Sequence, residues 1–313
     1  MRPGPVPPED GAGFELSCAH EGTRRALSAW LEETGLAWPG VFRLNVMVAD
    51  ECPFPPDGRA SHHQASVSII AGPPAGTARV EWSVAPAVAI VDPTRPDADL
   101  WLSPAAVAHL ASAQRSFLLV VLVFLLRRLG WYHVHGAALI DPRGRGWLIA
   151  GDSHCGKSTT TALLAANGWS VGTDDIGFLA QRDESVVALG ARSLIALRPG
   201  GLALLGAAGG APLTQRNKEG FWPEELGGAW APVVTPRIIA FPTIGERTAV
   251  ERATPREALS AVVRWSHWVM YEPVFAQPHL DVLGRLAGQA RCFNLTLGPD
   301  LFDRPALLEE LVS

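Results

Sequence analysis

The sequence predicts an α/β protein, and three observations carry the prediction. A strand, a glycine-rich loop and a helix follow one another over residues 146–166. The next strand ends in adjacent carboxylates, Asp174-Asp175, and an irregular α+β region of about a hundred residues precedes the whole unit. With 313 residues there is length for one large or two modest domains and a sizeable core.

Bulk properties narrow the function classes. The formal net charge is −5 and the basic residues are spread along the chain, which argues against a nucleic-acid partner held by a basic patch. Cys18, Cys52, Cys155 and Cys292 are far apart and form no Cys-x-x-Cys pair, so neither a zinc knuckle nor a disulfide scaffold is indicated and reduced thiols fit best. The Pro-rich start, residues 1–12, lacks the apolar core of a signal peptide and reads as a disordered leader. The most apolar stretch, Phe117 to Leu126, has about half the length a bilayer span needs and reads as a buried helix. The expectation is a cytoplasmic protein without a membrane partner. Lys157 and Lys218 are the only lysines among 26 basic residues, so a lysine here is a marked choice.

Residues 13–100 form the expected N-terminal α+β region, a candidate for substrate or partner binding. It contains a helix around Thr23 to Thr34 and strands at Phe42 to Val48, Ala65 to Ile70 and Ala78 to Val84, punctuated by Pro and Gly. His62-His63 lacks a nearby carboxylate or third His and reads as a solvated loop. Residues 101–313 form the expected second domain. Ser103 is a candidate N-cap with Pro104 at the first helical position, opening one long helix through Arg128 that Gly130 ends. Strands at Trp131 to Ile140 and Gly146 to Ala150 follow, joined by a turn at 141–145. A helix from Ser158 to Ala166, with Asn167-Gly168 as its stop, precedes the strand from Trp169. Further on, Val186 to Leu197 and Pro232 to Pro242 read as extended, Pro255 to Trp268 as a helix, Arg291 to Leu297 as a strand and Arg304 to Val312 as a final helix.

The loop Gly151-Asp152-Ser153-His154-Cys155-Gly156-Lys157-Ser158 matches G-x-x-x-x-G-K-[ST] at every fixed position, between a strand and a helix. Gly151 and Gly156 let backbone N–H groups curl around phosphate oxygens, and the following helix adds its positive N-terminal end. Lys157 reaches the β- and γ-phosphates in such loops, and Ser158 offers its hydroxyl to Mg²⁺. Thr159 follows and completes the predicted binding set of residues 151–159, for which ATP with Mg²⁺ is the expected ligand. Cys155 reads as filler of an open loop position; a helix N-terminus would lower its pKa and expose it to oxidation.

Asp174 and Asp175 lie 16 and 17 residues past Ser158. Beside a triphosphate two carboxylates divide labour: one holds Mg²⁺ while the other accepts the proton of an attacking hydroxyl. On the strand leading toward the loop, alternation puts His133 and His135 on one face. His135 then either faces the γ-phosphate or orients Asp175, and Gly136 permits close backbone approach. Arg198, Arg216, Lys218 and Arg237 are candidates for further phosphate or substrate contacts.

Taken together, His135-Gly136, the loop at 151–158, Gly168 and Asp174-Asp175 resemble the catalytic core of bacterial HPr kinase/phosphorylase and its relatives, over residues 103–200. The resemblance implies a P-loop kinase core related in fold to phosphoenolpyruvate carboxykinase, phosphorylating a serine hydroxyl with ATP and Mg²⁺. It implies Asp175 as general base, Lys157 and His135 as stabilisers of the transferring phosphoryl group, and Ser158 with Asp174 as metal ligands. Two positions depart from the family: Thr159 stands where its members carry Glu, and Ala196-Leu197-Arg198-Pro199 where they carry Glu-Ile-Arg-Gly. The metal-binding glutamate is thus missing while Arg198 is kept. This turns the expectation from HPr itself toward the branch that phosphorylates a serine of ribosomally made peptides, lasso peptide precursors among them. The expected partner is a peptide or small-protein substrate, with a homo-oligomer left open. A small-molecule hydroxyl kinase and a non-catalytic nucleotide-binding sensor or assembly module are the alternatives.

Overall fold

The computed structural model describes residues 13–36, 40–55, 62–64, 66–72, 77–213 and 217–313; the leader expected at 1–12 lies outside them. The chain divides into two compact units, one of residues 1–132 with 268–278, the other of 133–267 with 279–313. The expected boundary at 100/101 therefore lies some thirty residues early.

The first unit is built on a mixed seven-stranded sheet. Strands β1 (Gly13–Cys18), β2 (Val41–Val48), β3 (His62–Gln64), β4 (Val67–Gly72), β5 (Thr77–Trp82), β6 (Ala87–Val91) and β7 (Asp97–Leu102) run in the order β1-β2-β7-β6-β5-β4-β3. The first three in that order are parallel and the rest antiparallel. His62-His63, expected in a loop, lies in β3 against β4, because the alternating segment after it supplies a pairing edge. Helix α1 (Glu21–Glu33) is capped by His20, whose Nδ1 accepts from the Thr23 amide, and buries Leu27 and Leu31.

The long helix expected from Pro104 is three: α2 (Pro104–Ala108), α3 (Leu110–Arg115) and α4 (Phe117–Arg128), broken where His109 and Ser116 leave helical dihedrals. By length and composition alone the run Leu110–Arg128, 19 residues, would suffice to cross a membrane, but it is broken at Ser116, and Phe117 to Leu126 form the buried helix expected. Within this unit α4 packs on β5, β6 and β7 and leaves only Leu119 and Arg128 incompletely buried. That packing is why residues past 100 belong here. At its end, Arg128 forms a paired contact with Glu272 (2.9 and 2.6 Å), and the buried Arg127 donates to the Trp268 carbonyl at 2.8 Å. These bonds tie residues 268–278 to the same unit.

The second unit holds a ten-stranded sheet and a three-stranded one. Its strands are β8 (Tyr132–Ile140), β9 (Gly146–Ala150), β10 (Ser170–Thr173), β11 (Ile176–Arg182), β12 (Ser185–Gly190), β13 (Ile195–Leu197), β14 (Ala211–Leu213), β15 (Lys218–Phe221), β16 (Ala229–Trp230), β17 (Val233–Val234), β18 (Pro236–Ile244), β19 (Ala249–Ala253) and β20 (Arg291–Leu297). The main order is β17-β12-β11-β8-β9-β18-β20-β19, with β10 pairing β8 and β16; β13-β15-β14 is separate. Its helices are α5 (Lys157–Ala165), α6 (Pro199–Leu205), α7 (Pro255–Trp265), α8 (Pro273–Gln289, begun in the first unit), α9 (Asp300–Asp303) and α10 (Leu307–Leu311).

The β8–β9 hairpin brings the histidine strand beside the strand that feeds the loop. Its turn is fixed by buried Asp141, which accepts from the Arg143 and Arg145 amides, the Arg145 guanidinium and the Trp147 indole. Gly136 faces Ala150 so closely that a Cβ there would stand 2.8 Å from the Ile149 carbonyl oxygen, which explains the glycine. β9, β18 and β20 are parallel. Their apolar side chains meet α5 in a core around Trp147 and Trp169, whose rings lie 5.2 Å apart.

Candidate functional site

β9 ends at Ala150, and the chain turns through residues 151–156 into α5 at the carboxyl end of the parallel strands. Gly156 caps that helix at φ +95°, a conformation glycine adopts without strain. A Cβ on Gly151 would meet the Cys155 sulfur at 2.9 Å and Pro242 at 3.2 Å, so the loop closes on itself through a residue without a side chain. Cys155 is packed there, and burial pushes its thiol up rather than down. This fits the reading of Cys155 as filler and removes the lowered pKa that a helix N-terminus would give: desolvation outweighs the Lys157 charge and the amides nearby.

The loop borders a cavity of about 350 Å³ lined by Ser153, His154, Gly156, Lys157, Ser158 and Thr159, with His135 and Asp175 also on its wall. Gly151, Asp152 and Cys155 do not line it. Asp152 instead points at Arg264 of α7, 3.9 Å away. Lys157 is only 6% exposed, and its ammonium donates to the Gly151 and Asp152 carbonyls at 2.7 and 2.9 Å. It is held within the loop, at the N-terminus of a helix whose free amides favour an anion.

The two aspartates differ sharply. Asp174 is buried beneath Ser158; burial pushes its carboxyl up to about 6, with the Asp175 charge adding to the rise and the Ser158 and Thr161 hydroxyls opposing it. Its Oδ1 makes no hydrogen bond of normal geometry. A buried carboxylate oxygen without a donor, beside a serine hydroxyl, is a donor set for a hard cation. Among the described residues no third His, Cys, Asp or Glu joins it, so such an ion would draw its other ligands from phosphate and water.

Asp175 is 62% exposed at the cavity and lies 2.9 Å from His135 Nδ1. Partial desolvation pushes its carboxyl up, but the His135 hydrogen bond and the His135 and Lys157 charges outweigh it and hold the pKa below the ordinary value. Ionised Asp175 can only accept, so the His135 proton sits on Nδ1. The geometry selects the second of the two roles expected of His135, orienting Asp175. The Asp175 carbonyl also accepts from the Gly136 amide at 3.2 Å, which ties the aspartate turn to β8. His133 is buried edge-on against Phe178, with ring centroids 6.0 Å apart, and does not line the cavity.

Opposite the loop, β13, β15 and the start of α6 supply Ala196, Arg198, Gly200, Gly201 and Lys218 to the same cavity. Gly201 lets α6 sit on α5: a Cβ there would stand 2.9 Å from Thr159 Oγ1. Arg198 Nη2 reaches His154 Nε2 at 3.4 Å, and His154 takes the left-handed conformation (φ +74°) that aims its ring there. Lys218 opens β15 just before the Leu197–Glu219 pair, and Arg198 follows that pair on the other chain segment. From Lys218 onward the chain is a strand, because β15 has partners on both sides.

Arg216 lies outside the described residues. Arg237 does not belong to the site: it begins β18 beside Gly146 and Trp147, whereas the loop leaves the opposite end of β9. Ile244, 71% exposed at the far end of β18, lines the cavity and was not anticipated. Nothing in its sequence context sets it apart. Gly200-Gly201, also missed, carried a legible signal as a doublet just past Arg198-Pro199.

No family model matches this chain, and no curated protein matches it. Among solved structures, the Hpr(Ser) kinase/phosphatase from Coxiella burnetii is similar at a TM-score of 0.33 and 15% identity, over 57% of this chain and 93% of that one. At that level the likeness carries no residue role over to this chain.

Proposed function

We propose that the second unit is a phosphotransferase that moves the γ-phosphoryl group of ATP to a hydroxyl, with a serine of a peptide or small protein as acceptor, in the cytoplasm. The observation that carries this reading is the joining, in one cavity, of the Lys157–Ser158 loop and an ionised carboxylate, Asp175, fixed by His135. A loop that only bound nucleotide would have no use for an oriented base at its mouth.

In the proposed reaction the acceptor oxygen forms a bond to the γ-phosphorus as the bond to the β–γ bridging oxygen breaks. ADP leaves, and the hydroxyl proton passes to Asp175. Lys157 and the α5 amides hold the phosphates, and Arg198 adds a cation from the opposite wall. Mg²⁺ bound at Ser158 and Asp174 would neutralise phosphate charge. His135 fixes the carboxylate direction, which matters because phosphoryl transfer depends on positioning more than on base strength. The low pKa of Asp175 keeps it ionised and accepting throughout the neutral range.

The test is ADP and phosphopeptide formation from purified protein, Mg·ATP and serine-containing peptides. Turnover above background that Asp175→Asn removes, with nucleotide binding intact, supports the reading. No turnover, or an Asp175→Asn variant that behaves as wild type, rejects it.

A further inference from the structure

Both lysines of this chain line the same cavity: Lys157 from the loop and Lys218 from β15. Basic positions elsewhere are all arginine, 24 of them, so whatever Lys218 does is poorly served by a guanidinium. The two side chains differ in the relevant way. Lysine presents a compact ammonium whose three donors turn to meet oxygens as they move, while arginine presents a planar fork suited to a fixed pair of acceptors. Arg198 already supplies the fork on this wall, immediately after the Leu197–Glu219 pair that ends β13.

The location of Lys218 is fixed. Lys218 pairs with Leu213 of β14, and from Glu219 onward β15 pairs with both β13 and β14. Asn217, at φ +52°, makes the turn that leads into it. The side chain is half-buried, and among the described residues its ammonium has no hydrogen-bond or ion-pair partner. Lys157 differs, since the Gly151 and Asp152 carbonyls hold its ammonium. A half-buried cation on a braced strand, facing a cavity with no protein partner, is set up for an anionic ligand.

Charge decides which ligand. A magnesium-bound triphosphate is still anionic, Asp174 lies under it and Asp175 beside it. Lys157 and Arg198 together still leave that assembly negative, and the deficit grows at the phosphoryl group as the bridging bond breaks. An acceptor bearing its own anionic group would deepen the deficit, so the donor is the better match for Lys218. We propose that Lys218 is a second catalytic lysine, contacting the transferring phosphoryl group from the wall opposite Lys157. This rests on the phosphotransferase reading given above.

The experiment needs no acceptor. Binding of Mg·AMP-PNP, a ground-state mimic, and of Mg·ADP with aluminium fluoride, a mimic of the transferring phosphoryl group, is measured calorimetrically for wild type, Lys218→Met and Lys218→Arg. The expected result is a loss of about 100-fold in metallofluoride affinity for Lys218→Met. Ground-state binding changes less than threefold, and Lys218→Arg recovers only part of the loss. Equal effects of Lys218→Met on both ligands, or none on either, overturn the proposal, as does full rescue by arginine. Thermal melts check that both variants fold. If wild type binds neither ligand, the phosphotransferase reading itself falls and the proposal with it; if wild type binds both, the variants judge Lys218 alone.

Discussion

Asp174→Asn separates what the buried carboxylate costs the fold from what it gives the site. Burial raises the Asp174 pKa from 3.8 to about 6. The folded state therefore holds the proton more tightly than the unfolded chain, so stability is lost as pH rises between the two values. At pH 8 the penalty is complete, and about two pKa units correspond to about 3 kcal/mol; at pH 5 about half of it is present. Asparagine keeps the shape and an acceptor for the Ser158 and Thr161 hydroxyls, and it never ionises. Allowing about 1 kcal/mol for weakened hydrogen bonds, the variant gains about 2 kcal/mol at pH 8 and about 0.5 at pH 5. That is a rise of roughly 4–8 °C in Tm at pH 8.

The assay is thermal and urea denaturation of the ligand-free protein at both pH values, repeated with Mg·ATP. Wild type gains further stability from the ligand, because the ion neutralises the buried charge; the variant loses most of that increment. Mg·ATP affinity of wild type falls below about pH 6, where a proton competes with the cation for Asp174. A variant destabilised at pH 8, or changed equally at both pH values, refutes a buried ionised carboxylate. A variant that keeps the whole Mg·ATP increment refutes Asp174 as metal ligand.

Three other outcomes follow from the geometry. His135→Phe frees Asp175 and lets its pKa rise toward the ordinary value; turnover falls roughly 100-fold or more while the nucleotide KM moves less than about threefold, read by steady-state kinetics. Gly136→Ala sets a Cβ 2.8 Å from the Ile149 carbonyl and 3.3 Å from Ala150 Cα, both backbone atoms; it costs roughly 1–3 kcal/mol in urea denaturation. Glu272→Gln removes the counter-charge of the buried Arg127 and Arg128 and destabilises the first unit by roughly 3 kcal/mol, seen as an earlier urea transition.

Local signals made much of the site readable in the sequence. The glycine-lysine-serine loop, the aspartate pair and the His135-Gly136 step are contiguous patterns whose meaning depends on their own strand or helix, and all border one cavity or lie directly beneath it. What escaped was set at long range. Arg237 stood among the candidate cations, behind Lys218, and β18 lying parallel to β9 removes it, since one strand end goes to the loop and the other away from it. Helix α8 went unread because Pro278 interrupts its pattern; its second half buries Val282, Leu283, Leu286 and Ala287 regardless. The break at Ser116 is invisible in a run of good helix formers. The return of residues 268–278 to the first unit depends on Glu272 meeting Arg128, 144 positions away.

The cavity also collects choices that a sequence selected for stability alone would avoid. Asp174 is a buried carboxylate with an oxygen no donor satisfies. His154 carries a side chain at φ +74°, where glycine would relieve roughly 1 kcal/mol of strain. Lys218 is half-buried and, among the described residues, its ammonium has no hydrogen-bond or ion-pair partner. None of the three improves core packing, and each aims a polar group at the same space or lies just beneath it. Backbone strain and unsatisfied charge persist where surrounding structure over-determines them, and their convergence on one site argues that the site is held for a ligand. The first unit's Asp92 makes the contrast. Its hydrogen bonds from Thr94 and Arg95 hold its carboxyl well below the usual range despite partial desolvation. That carboxylate serves its own turn, whereas Asp174 becomes favourable only when something else supplies the charge.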